Sequence, residues 1–124
     1  MKKVYLYKMK KHIKSKWVKA LESGKYKKTK HQLKYNSAFC CLGVLTNLNP
    51  GTKWGKNEHE DDVYLSPRIK NWAGIEESTR TKNITDMSVN LADMNDGDFG
   101  ARERARGKSF KQIAQYIRKN IEGI

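Results

Sequence analysis

Between residues 25 and 38 one polar stretch gathers Tyr26, Lys27, Lys28, Thr29, Lys30 and Gln32, whose amines, hydroxyls and amide are the groups that bind phosphate oxygens. Tyr26, His31 and Tyr35 interleave with these cations, and aromatic rings so placed can stack on nucleobases. The same stretch reads equally well as a solvated basic loop anchored by Leu33 and Phe39. Trp54, between Gly51 and Gly55, is either a lid that stacks on a ligand or, more commonly for such a residue, a plug of the core. Arg102, Arg104 and Arg106 alternate in a Gly-bounded segment that is either a second phosphate clamp or a solvated run.

No set of residues meets the demands of catalysis, and no catalytic residue is assigned. Cys40 and Cys41 would need His31 or His59 and an orienting group beside them, an adjacency that sequence order does not supply. Their apolar flanks favour buried structural thiols over the alternative, a low-pKa thiol at a helix start. A bridge between adjacent cysteines is strained, so both are expected to be reduced. His12, His31 and His59 are scattered singly without zinc spacing, so no metal or other cofactor is expected. Asp93, Asn95, Asp96 and Asp98 imitate a calcium loop, but Gly97 falls one place early and Arg104 stands where a bidentate acid is required. Asp98-Phe99-Gly100 spells a kinase triplet in a chain too short for that machinery. Asn95 and Asp96 either read a base edge or cap a short helix, and capping is the reading favoured.

The element that must position these residues is Phe39 to Leu48, the one run that is apolar on nearly every side, closed by Asn49-Pro50-Gly51. It predicts a central buried helix capped by Ser37, with a buried strand as the competing reading. Gly43 costs a helix about 1 kcal/mol, so it marks close approach of a neighbouring backbone. Upstream, Ile13, Trp17, Val18, Ala20 and Leu21 form a helical stripe stopped by Gly24, and Val4 to Tyr7 either extends that helix or begins a strand. Residues 50–62 read as a loop and Val63-Tyr64-Leu65 as a short strand. Ser66-Pro67 opens a helix that turns Ile69 and Trp72 inward and ends at Gly74. Residues 76–87 read as a loop with a strand at Asn83 to Thr85. Ser88 caps a helix that buries Leu91 and Met94 and ends at Gly97. Ser109 and Gln112 form a capping box opening a last helix with Phe110, Ile113, Ala114, Ile117 and Ile121 on one face.

The chain of 124 residues carries a net charge of +13, and its location is the informative part. Residues 1–34 hold 13 lysines against Glu22 alone, whereas residues 35–124 are nearly balanced. Such a footprint suits a polyanionic partner, and equally a lysine-rich composition that keeps the protein soluble. The length fits one domain, residues 1–124, of which 1–11 read as a basic extension. There is no apolar run of about 18 residues and no signal-like segment, which argues against a membrane and for the cytoplasm.

Trp17-Val18-Lys19-Ala20-Leu21-Glu22-Ser23-Gly24-Lys25-Tyr26 and Phe39-Cys40-Cys41-Leu42-Gly43-Val44-Leu45 resemble a family of small phage and prophage proteins with a W-x-x-A-L-x-S-G-x-Y opening and an F-C-C-L-G-V-L centre. Trp72-Ala73-Gly74, Leu91-Ala92-Asp93-Met94-Asn95-Asp96 and Ser109-Phe110-Lys111-Gln112-Ile113-Ala114 continue the resemblance, which departs at Met94 and over the first dozen residues. The resemblance associates the chain with counter-defence sponges that sequester the cyclic nucleotide signals of CBASS immunity without cleaving them. It implies a homo-oligomer with pockets near subunit interfaces, acting in the cytoplasm of an infected bacterial host. The expected fold is α+β and mainly helical, with four or five helices around the buried central helix and one or two short strands. The expected function is a non-enzymatic sponge for cyclic oligonucleotides using Tyr26, Lys27, Lys28, Thr29, Lys30, Gln32, Trp54, Arg102 and Arg104. The alternative is a small basic nucleic-acid-binding phage protein acting on host DNA or transcription.

Overall fold

The computed structural model of the protein describes residues 5–77, 86–97 and 107–124. Their order is β1 (Tyr7–Met9), α1 (Lys11–Glu22), β2 (Lys27–Lys28), β3 (Lys34–Tyr35), β4 (Ala38–Phe39), α2 (Cys41–Leu48), α3 (Pro67–Ala73), β5 (Glu76–Glu77), α4 (Met87–Asp96), α5 (Phe110–Asn120) and β6 (Ile121–Gly123). The fold is mainly helical α+β, as expected, but the described residues form six short strands where one or two were anticipated. They form two sheets, ordered β5-β1-β6 and β2-β4-β3.

Residues 7–9 lie inside the fold, where the sequence suggested a basic extension. Tyr7 and Met9 are buried and Lys8 is exposed, the period of two that a half-buried strand requires. β1 runs antiparallel to β5 and parallel to β6, so Tyr7 begins a strand and α1 starts at Lys11. Ile13, Trp17, Val18 and Leu21 then face the core, and Gly24 follows the helix end at φ +74°.

The central helix is shorter than its apolar run. Ala38 and Phe39 belong to β4, paired with β2 on one side and β3 on the other, and Cys40 N–H donates to the Leu33 carbonyl at 3.1 Å. Those ladder bonds keep the backbone extended until Cys40, so Ser37 is not the cap. Cys40 is, its Sγ accepting from Gly43 N–H at 3.3 Å. Val63-Tyr64-Leu65 is not a strand, because the edge of β3 is already covered by the carbonyls of Asp62 and Glu60, which accept from Leu33 and Lys34.

α3 is capped by Ser66, whose Oγ accepts from Ile69 N–H at 3.3 Å, with Pro67 in its first turn and Gly74 in the left-handed conformation at its end. α4 begins one residue before the predicted Ser88 cap: Asp86 takes that position by accepting from Ser88 N–H, and Ser88 is buried. α5 carries the complete Ser109–Gln112 capping box, and its predicted stripe ends at Ile117 because Ile121 enters β6. The strand expected at residues 83–85 lies outside the described residues.

The core is one cluster centred on Trp17, Leu42, Leu45, Leu91, Ile113 and Ile117. Trp17 Nε1 donates to the Cys41 carbonyl at 2.9 Å, and Cys41 Sγ meets the Leu91 carbonyl at 3.5 Å, tying α1, α2 and α4 at one residue. Asn90 Nδ2 donates to the hydroxyls of Tyr7 and Tyr116, joining β1, α4 and α5.

Candidate functional site

The stretch read from sequence as a polar loop is the three-stranded sheet β2-β4-β3, and its register sorts the lysines. Cross-strand partners project to the same face. Lys28, Phe39 and Lys34 therefore form one row, and Lys27, Ala38 and Tyr35 the row on the opposite face. Lys27 and Tyr35 are exposed, and Lys28 is half-buried.

Phe39 gathers the aromatics. Tyr26 meets it edge-on with centroids 5.3 Å apart, and Trp54 lies tilted on it at 6.2 Å. Such ring pairs contribute about 0.5–1.5 kcal/mol each beyond buried area. Asn47, exposed at the far end of α2, holds both outer rings: its Nδ2 donates to Tyr26 Oη at 3.3 Å and its Oδ1 accepts from Trp54 Nε1 at 3.1 Å. Trp54 is half-buried, so it is partly the core plug of the sequence reading and partly a surface ring. The Lys34 ammonium stands 5.7 Å from the Phe39 centroid and pairs with Glu60 at 2.9 Å.

On the other side of the row, the Lys28 amine is held below its ordinary value, first by burial and then by the neighbouring Lys30 ammonium. A partly desolvated cation with a like charge beside it is relieved by an incoming anion. Lys28 Nζ also comes close to Gly107, where a Cβ would meet it at 2.8 Å and would strike the Asn95 carbonyl oxygen at 1.9 Å.

Thr29 serves the scaffold. Its N–H donates to the Phe39 carbonyl, and its carbonyl accepts from Asn95 Nδ2 at 2.9 Å. Asn95 is fully buried, and its Oδ1 accepts from Cys41 N–H at 3.1 Å. It thus caps α2 from across the molecule rather than its own helix, and its amide is enclosed in the protein. Asp96 accepts from the His31 N–H at 2.9 Å and lies 3.5 Å from the His31 ring. Gln32 donates to the Lys34 carbonyl, and Lys30 is exposed. Of the expected site residues the structure brings Tyr26 and Trp54 together on Phe39, and the register puts Lys28 in the same row as Phe39. It turns Lys27 to the other face, uses the backbone N–H and carbonyl of Thr29 in the scaffold, and ties the Gln32 amide to the Lys34 carbonyl. Arg102, Arg104 and Arg106 lie outside the described residues. The sequence reading missed Phe39 and Asn47 as site residues; an asparagine at the end of an otherwise apolar helix was the available signal for Asn47.

The thiols do not contribute a nucleophile. Burial pushes Cys40 up to about 11 and Cys41 well above the ordinary thiol value, so at neutral pH neither supplies a thiolate. A disulfide-exchange reagent at pH 8 is expected to modify neither cysteine in the native protein and both in denaturant; rapid native reaction of either would contradict the burial. Since the folded chain keeps thiol protons that the unfolded chain releases from about pH 9, stability is expected to fall as pH rises from there through about 11.

A family model described as a domain of unknown function, DUF8296, matches residues 9–121. No curated protein and no solved structure matches the chain.

Proposed function

This chain belongs to the DUF8296 family, and we propose that it is a non-catalytic binding protein that sequesters a cyclic oligonucleotide. The supporting observation is the convergence of Tyr26 and Trp54 on Phe39, both held by Asn47, with the half-buried Lys28 in register beside them. Rings that accept a base next to a half-buried cation are what a nucleotide binder requires. Capture without cleavage needs no positioned acid and base, and the neighbouring thiols are protonated and buried. The phage-family resemblance of the F-C-C-L-G-V-L segment agrees with a counter-defence role, in which each bound immune signal is withdrawn from its receptor.

A thermal-shift screen against cyclic di- and trinucleotides tests this. A ligand at about 100 times its Kd adds about 2.7 kcal/mol, several degrees of Tm in a domain of this size. The expected result is a shift with one cyclic nucleotide that is recovered intact after heat release; recovery of a linear product would overturn the non-catalytic reading. The exposed lysines Lys8, Lys10, Lys11, Lys16 and Lys19 favour a second reading, nonspecific nucleic-acid binding. Its signature is duplex affinity that falls steeply with salt, without a cyclic-nucleotide shift.

A further inference from the structure

The loop that carries Trp54 is built around one guanidinium. Arg68, on α3, donates Nε to Glu58 Oε2, Nη1 to Asn49 Oδ1 and Nη2 to Thr52 Oγ1, each at 2.9 Å. Every acceptor is tied again. Glu58 Oε2 accepts from Ser66 Oγ at 3.0 Å, Asn49 Oδ1 from Gly51 N–H at 2.8 Å, and Thr52 Oγ1 donates to the Thr46 carbonyl on α2 at 2.7 Å. Inside the loop Asn57 Oδ1 accepts from Lys53 N–H at 2.7 Å, its Nδ2 donates to the Gly51 carbonyl at 2.8 Å, and Trp54 and Glu58 form a β-bridge. The Glu58 side chain is 1% exposed, and a carboxylate so enclosed requires its cation.

We propose that Arg68 is a positioning residue of the ligand site. It holds residues 49–58 so that Trp54 stands preformed against Phe39 and Asn47, and a planar ligand meets a fixed wall rather than a loop that folds over it. The ligand clause rests on the binding function proposed above; the placement of Trp54 does not. Lysine cannot substitute, because three acceptors shared among Nε, Nη1 and Nη2 suit a guanidinium fork and not a point charge.

The test is Arg68→Lys, read through the indole N–H signals of the three tryptophans in a nitrogen–proton correlation spectrum, with Trp54→Phe identifying the Trp54 signal. The expected result is a displaced Trp54 signal exchanging with water about tenfold faster, while the buried Trp17 signal stays in place and reports an intact core. A Trp54 signal identical to wild type would overturn the proposal, and Glu58→Gln, which leaves the shape of the pair, is the second variant should Arg68→Lys fail to fold. With cyclic di-AMP as probe, Arg68→Lys should weaken binding about as much as Trp54→Ala, and the double variant no further; fully additive losses would overturn the positioning role. If cyclic di-AMP and the other cyclic nucleotides leave the wild-type spectrum untouched, the binding function fails, and the Trp54 signal alone decides whether Arg68 positions the ring.

Discussion

Gly43→Ala is expected to eliminate the cooperative unfolding transition. A Cβ at Gly43 would stand 1.8 Å from the Leu33 carbonyl oxygen and 2.7 Å from its carbon, both backbone atoms. Leu33 cannot retreat: its side chain is fully buried, its N–H donates to Asp62 and its carbonyl accepts from Cys40. Relief therefore means separating α2 from the segment that leads into β3, which exposes the centre of the core. A cost above about 4–5 kcal/mol belongs to the diagnostic tail of single substitutions and takes most of the stability of a domain at the low end of the usual range of about 5–15 kcal/mol. Gly24→Ala is the control, since a Cβ there would meet no atom within 4 Å and only the left-handed backbone is strained, at about 1–2 kcal/mol. Circular dichroism during urea unfolding distinguishes the two; a Gly43→Ala protein with a wild-type midpoint would mean that the close approach is not real.

Asn95→Ala is expected to cost about 3–5 kcal/mol, the sum of two orphaned backbone groups at about 1–3 kcal/mol each and a small cavity. The groups are the Cys41 N–H at the start of α2 and the Thr29 carbonyl next to β2. Asn95→Asp keeps the acceptor for Cys41 but faces a carboxylate toward the Thr29 carbonyl and Asp96, where the amide now donates, so it should recover little. Because Thr29 lies between Lys28 and Lys30, loosening its carbonyl should also weaken ligand capture in whatever protein remains folded. Urea midpoints at constant m-value report the first effect, and a binding titration below the midpoint reports the second. An Asn95→Ala midpoint within experimental scatter of wild type would show that water replaces the amide.

Local signals were legible wherever one short window contained the whole interaction. Ser109 and Gln112 are three residues apart, Ser66 caps the helix beginning at the next residue, and Ile13, Trp17 and Leu21 repeat along one helix. Gly43 was legible too, since a glycine costs an apolar helix stability unless a neighbour needs the room. The small sheet was not. Lys27–Lys28 has neither strand composition nor alternation, and it is extended because β4 pairs with it from elsewhere in the chain, while Asn95 holds the carbonyl of Thr29 next to it. Likewise Asn47, Asn95 and Arg68 act through partners that a sequence window does not contain: Asn47 holds Tyr26 and Trp54, Asn95 caps a helix other than its own, and Arg68 binds Asn49, Thr52 and Glu58. Half of the candidate site follows from composition, namely lysines and aromatics in one stretch. The sorting of those lysines to opposite faces follows only from register.

β1 lies between β5 and β6, pairing Tyr7 with Glu77 on one side and Ile121 on the other. During synthesis, Tyr7 and Met9 leave the ribosome long before their last partner exists, so two side chains destined for full burial wait unpaired. The sheet can close only after α5 has been delivered, and pairing of such remote segments is slow. A ribosome stalled before residue 121 should display a chain sensitive to protease at β1, and release of the full chain should protect it.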